Sequence, residues 1–126
     1  MNLKNIHHVA VIGSDYEQSM HFYTDILGFE VIRENKREDK EDWKIDMQLE
    51  GCELELFIKP DAAKRLSHPE ACGLRHLAIR VDSVEETVKE LQQLGIQTEP
   101  IREDDYTGEK LAFFFDPDGL PIELHE

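Results

Sequence analysis

The chain has 126 residues, of which 40% are hydrophobic, enough for one sizeable core. No apolar run approaches the ~20 residues of a membrane span. Fourteen basic residues against 28 acidic ones leave a formal net charge of −14. That field repels nucleic acid and anionic membranes, so any anionic substrate must be held by local Lys or Arg.

Residues 6–15, IHHVAVIGSD, alternate as a strand running into a helix cap. Ile6, His8, Ala10 and Ile12 share one face, with His7, Val9 and Val11 on the other. His7 reads as a structural, partly buried histidine. Ser14 and Glu17 fit a capping box, and Met20, Tyr23, Ile26 and Leu27 form the apolar stripe of the helix that follows. Gly28 suits a left-handed C-cap.

Residues 33–44, RENKREDKEDWK, are densely charged. They read first as a solvated hairpin loop and second as a flap bearing Arg37 and Trp43 as substrate contacts. LELFI at 54–58 is a strand whose Glu55 faces away from its leucine neighbours. A connector over 61–73, rich in turn formers and holding a surface His68, separates a first module (1–60) from a second (74–126), both within a single domain.

The second module opens on LRHLAIRVDS at 74–83, where Leu74, His76, Ala78 and Arg80 alternate against Arg75, Leu77, Ile79 and Val81. Ser83 and Glu86 fit a second capping box. Val84, Val88, Leu91 and, near the edge, Leu94 form a second stripe, and Gly95 closes the helix. DPDG at 116–119 is a turn aiming the strand PIELH (121–125) and its Glu123.

The two modules repeat one another. His8 precedes Glu55 by 47 positions and His76 precedes Glu123 by 47, so both pairs obey one offset of 68. Two histidines and two carboxylates at matched positions of a duplicated unit form the ligand set of a divalent metal site. His7 has Arg75 as its repeat partner, which cannot ligate. Cys52 and Cys72 form no CxxC pair and suggest no disulfide framework. The start, MNLKNIHHV, lacks a secretory hydrophobic region, which places the protein in the cytoplasm.

The segments HHVAVIGSDYEQSMHFYTDILGFEVI, ELELF, LRHLAIRVDSV and FFFDPDGLPIELHE, which span nearly the whole chain, resemble the vicinal oxygen chelate superfamily, and within it the glyoxalase I-like branch. The resemblance implies an α+β fold of two tandem βαβββ modules. Their curved, mostly antiparallel sheets would enclose a metal. It also implies a homodimer, and it puts the metal ligands on His8, Glu55, His76 and Glu123. Glyoxalase I proteins commonly carry an arginine four residues after the first ligand and an asparagine four after the second. Here these are Ile12 and Lys59, which argues against glutathione as the thiol.

Such a set expects one divalent ion (nickel, cobalt, zinc or manganese) with two positions left for water or substrate oxygens. Proton transfer through a metal-stabilised ene-diolate follows, with Glu123 as the base and Glu55 as its counterpart. The expected enzyme is a glyoxalase I-like lyase or isomerase of a small 2-oxoaldehyde–thiol adduct or related hydroxy-carbonyl. The alternative is a thiol transferase or an antibiotic-binding resistance protein of the same superfamily. Arg80, Arg37, Trp43 and Lys59 are the candidate substrate contacts.

Overall fold

A computed structural model describes all residues, 1–126, which divide into two compact units, 1–63 and 64–126. It is a mixed α/β structure with two four-stranded sheets and few helices. Unit one contains β1 (His8–Gly13), α1 (Tyr16–Met20), β2 (Glu30–Arg37), β3 (Asp42–Leu49) and β4 (Cys52–Ile58). Its sheet has the order β1-β4-β3-β2, with β1 parallel to β4 and the other two pairs antiparallel.

One face of this sheet is apolar. Val11, Ile45, Met47, Leu54, Leu56 and Ile58 are buried on it, while His8, Lys44, Asp46 and Glu55 alternate onto the other. Phe22 and Tyr23 join the same core, with rings 5.1 Å apart edge to face. The helix that supplies them departs from expectation in two ways. Its N-cap is Asp15, whose Oδ1 accepts from the Gln18 amide at 2.8 Å, and not Ser14. The chain is still extended at Asp15 (φ −131°, ψ 125°), so the helix begins one residue later.

Beyond Met20 the helix also widens into a π-helical turn, His21–Ile26, with the Leu27 amide reaching back to the Phe22 carbonyl at 3.0 Å. Thr24 Oγ1 bonds the Met20 carbonyl at 2.6 Å, a side-chain competitor inside the ladder. The wider turn rotates the buried face onto Ser19, Phe22 and Tyr23, and leaves Met20, Ile26 and Leu27 only half-buried.

The mixed-charge run is mostly strand and not loop. β2 and β3 cover all of 33–44 except residues 38–41. Alternation with Ile45 and Met47 on the core face outweighs the polar composition. The β3–β4 connection has only two residues, Glu50 and Gly51, both at positive φ (44° and 82°), the geometry of a tight hairpin turn. This turn fixes the register Leu49↔Cys52 and, three pairs on, Asp46↔Glu55.

Unit two contains β5 (Leu77–Arg80), α2 (Val84–Gln93), β6 (Arg102–Glu103), β7 (Lys110–Phe115) and β8 (Pro121–His125), with sheet order β5-β8-β7-β6. β5 and β8 are parallel, and the other pairs are antiparallel. Ser83 caps α2 by accepting from the Glu86 amide at 3.2 Å, and Val84, Val88 and Leu91 are buried beneath the helix.

β5 is shorter than the sequence alternation implies. Its ladder opens at Leu77↔Ile122, directly after Pro121, which has no N–H to give. Leu74 is left exposed and His76 stands one residue ahead of the strand. In the DPDG turn the buried Asp116 accepts from the amides of Asp118 (2.9 Å) and Leu120 (2.8 Å), and Gly119 takes φ 85°. No helix is long and apolar enough to cross a membrane.

Candidate metal centre

Each unit brings one imidazole and one carboxylate together on the sheet face opposite its core. In unit one, His8 opens β1 and Glu55 lies on β4, with His8 Nε2 3.5 Å from Glu55 Oε2. In unit two, His76 Nε2 is 2.9 Å from Glu123 Oε2. The two carboxylates occupy equivalent register positions. Ala10 is the parallel partner of Glu55, and Ala78 is that of Glu123. Small alanine side chains beside both carboxylates keep the faces open. The structure contains these pairs and no group of three or more His, Cys, Asp or Glu side chains able to hold a metal ion.

The donor chemistry of each pair suits a divalent ion, since an imidazole nitrogen and a carboxylate oxygen, both common ligands, lie side by side. Glu123 is 8% exposed between the buried Ile122 and Leu124. The Nδ1 of His76 is buried without a hydrogen-bond partner, so no second group fixes the tautomer of this ring. His7, expected to be partly buried, is exposed. It precedes the first ladder pair, lies 3.9 Å from Glu53 and meets His8 Nδ1 at 2.9 Å.

The surroundings of the two pairs differ. Around Glu55 the face is ionic. Lys44 Nζ lies 2.9 Å from Glu55 Oε1 and donates to Asp46 Oδ1 at 2.5 Å, while Arg33 Nε donates to Asp46 Oδ2. Burial pushes the Asp46 carboxyl up, but the bonds from Lys44 and Arg33 outweigh it and hold the group below its ordinary value. Asp46 and then Glu55 raise Lys44, which keeps its ammonium charged.

Around Glu123 the face is aromatic. Phe113 is the register partner of Glu123, and its ring meets His76 edge to face at 5.2 Å. His125, two residues past Glu123, places Nε2 3.9 Å from Glu123 Oε1 and Nδ1 3.5 Å from Glu109.

The candidate substrate contacts fall in different places. Arg37 forks onto the buried Asp42 with two bonds of 2.6 Å and lies over the Phe57 ring. Lys59 reaches the same Asp42 at 2.8 Å. The bonds from Arg37 and Lys59 hold the Asp42 carboxyl far below its ordinary value. Both cations are thus committed to a buried carboxylate. Trp43 packs on Tyr16 with rings 5.2 Å apart. Arg80 is exposed at the end of β5, paired in register with His125.

The reading of the sequence missed Lys44, Asp46 and His125. The polar alternation Lys44, Asp46, Gln48 between Trp43, Ile45, Met47 and Leu49 is the signal that carries the first two. His125 is marked only by its two-residue spacing from Glu123. Cys52 and Cys72 are free and exposed, so no disulfide forms.

A family model described as the Glyoxalase/Bleomycin resistance protein/Dioxygenase superfamily matches residues 5–124. The "Uncharacterized protein YwkD" of Bacillus subtilis (strain 168) is 54% identical over 100% of this chain and 99% of its own length. The crystal structure of the glyoxalase family protein from Enterococcus faecalis superposes with a TM-score of 0.95 at 55% identity, covering 100% of both chains. A fosfomycin resistance protein, FosX, from Listeria monocytogenes shares the fold (TM-score 0.78, 19% identity, 98% of this chain and 93% of that one). Its E126Q mutant was crystallised with Mn(II) and 1S,2S-dihydroxypropylphosphonic acid.

Proposed function

The chain belongs to the Glyoxalase/Bleomycin resistance protein/Dioxygenase superfamily, and we propose that within it the protein is a metal-dependent lyase or isomerase of the glyoxalase I type. We read the two units as tandem βαβββ modules whose curved sheets serve one metal. His8, Glu55, His76 and Glu123 would hold that divalent ion. The observation that carries this reading is the recurrence of one imidazole–carboxylate pair at equivalent positions of both units, 3.5 Å apart in one and 2.9 Å in the other. The set is completed when both pairs serve one ion, within a chain or across a homodimer. Each sheet ends on two edge strands, which favours association.

When bound, the ion supplies a Lewis acid that acidifies the C–H beside a substrate carbonyl. Glu123 then takes the proton and returns it to the neighbouring carbon. Only 8% of Glu123 is exposed, which shields its carboxyl from bulk water. Glu55 would serve as its counterpart. Arg80 stands four residues beyond His76, roughly 13 Å away at ~3.3 Å per residue. It would meet the far end of a thiol adduct and not a small substrate. Ile12 and Lys59, the latter held on Asp42, weigh against glutathione as that thiol.

The test is a hemithioacetal assay across several thiols with the metal-loaded protein. Turnover lost in Glu123→Gln with metal retained supports the base. Turnover unaffected by Glu123→Gln removes it from that role, and efficient use of the glutathione adduct refutes the argument from Ile12 and Lys59. Tight binding of a small molecule without turnover would favour a binding or resistance protein instead.

A further inference from the structure

The polar face of unit one holds a short chain of charges, of which the proposed reaction uses only Glu55. Arg33, Asp46, Lys44 and Glu55 alternate in sign and touch in that order. Arg33 meets Asp46, Lys44 bridges Asp46 at 2.5 Å and Glu55 at 2.9 Å, and Asp46 is the direct cross-strand partner of Glu55. The two cations and two carboxylates pair off, and Glu53 on the same face also acts on Arg33. The Asp46 side chain is only 4% exposed and that of Lys44 only 26%, so the ammonium is held in place and not swinging in solvent. Unit two has nothing like it, since Phe113 stands opposite Glu123.

The pairing changes if Glu55 is engaged by a divalent ion. A metal-bound carboxylate is a weaker partner for a cation, so Lys44 leans more heavily on Asp46. Lys44 then stands 2.9 Å from Glu55 Oε1 with part of its charge no longer answered by that carboxylate. A partly unanswered ammonium at that distance, on a partly buried face, draws an anion to the position beside the metal.

We propose that Lys44 is the anion-binding residue of the site, positioned by Asp46 and Arg33, and that the substrate carries a carboxylate or a phosphorus oxyanion next to its metal-binding oxygens. This rests on the reading of Glu55 as a metal ligand. It differs from the role considered for Arg80, which stands about four strand residues from His76 and suits a distant group. Lys44 has a second consequence. In the metal-free protein its ammonium holds Glu55 Oε1 and repels an approaching cation, so Lys44 opposes metal binding.

The experiment is calorimetric titration of Mn(II) into the metal-free protein, followed by titration of glycolate and, separately, methylphosphonate into the Mn(II)-loaded protein. Wild type, Lys44→Met and Lys44→Arg are compared, and Lys44→Gln replaces Lys44→Met if the latter fails to fold. Removing the competing charge is expected to tighten Mn(II) binding by several-fold. It should weaken binding of at least one anion on the order of tenfold, the scale of one lost charge-assisted hydrogen bond. Lys44→Arg should keep most of the anion affinity. The anion that loses more affinity identifies the substrate group as carboxylate or phosphorus oxyanion.

Unchanged anion affinities in Lys44→Met, with Mn(II) still bound, overturn the proposal and leave the metal site standing. Absence of Mn(II) binding in the wild type overturns both.

Discussion

Gly13 ends β1, the strand that carries His8, and is the place where that strand comes nearest to α1. A Cβ built there meets Ser19 Oγ at 2.5 Å, Ile58 Cδ1 at 3.2 Å and Leu56 Cδ1 at 3.4 Å. The first distance is one that real side chains do not adopt. The second requires Ile58 to yield by a few tenths of an ångström, and the third is at the edge of ordinary van der Waals contact. Ser19, Leu56 and Ile58 are all at most 2% exposed, so none can swing into solvent. Gly13→Ala is therefore an overpacking change, expected to cost about 1–3 kcal/mol. For a protein of this size that is a fall in Tm of roughly 4 °C per kcal/mol.

Most of the cost is assigned to one atom, so it should be removable. In a Ser19→Ala background the 2.5 Å contact is gone and only the two milder ones remain. The double-mutant cycle should then return a coupling of about 1 kcal/mol or more in the direction of relief. Chemical denaturation of the four proteins, monitored by circular dichroism, measures it. A Gly13→Ala protein as stable as wild type, or costs that simply add, would show that β1 and α1 are not packed as described.

Two further outcomes are expected. Asp42 and Asp46 are held below the ordinary carboxylate value of 3.8, so each stabilises the fold above that value and loses its contribution as the pH falls through the lowered one. Below about pH 4, Asp42→Asn and Asp46→Asn should flatten the acid limb of the stability profile relative to wild type, while lowering the plateau at neutral pH. Identical acid limbs would contradict the ion pairs. Sedimentation at micromolar concentration should give a homodimer, and a monomer would leave the edge strands without the proposed partner.

The legible and illegible parts of this chain separate along physical lines. The four candidate ligands were readable because a duplication repeats their spacing at one offset, and because Leu54 and Leu56, or Ile122 and Leu124, mark which face a glutamate between them must take. The caps at Ser83 and Gly95 were readable from local chemistry. Asp15 displaced Ser14 because two adjacent residues could each cap, and the choice lay in backbone dihedrals. The strands across the charged run were hidden by composition, even though Ile45 and Met47 carried the alternation.

The partnership of Asp46, Lys44 and Glu55 was hidden for a different reason. It follows from hairpin register, which the two-residue turn at Glu50–Gly51 sets and which no pattern inside either strand announces. The π-helical turn at His21–Ile26, where Thr24 bonds the Met20 carbonyl, likewise lay outside the reach of a period count.

The central claim is that one divalent ion is held by His8, Glu55, His76 and Glu123. The direct measurement is metal content per chain by elemental analysis after loading and gel filtration, for wild type, His76→Ala and Glu123→Ala. The account predicts about one ion per chain in the wild type and a sharp fall in both variants, each still folded by circular dichroism. Unchanged stoichiometry in both variants would contradict it.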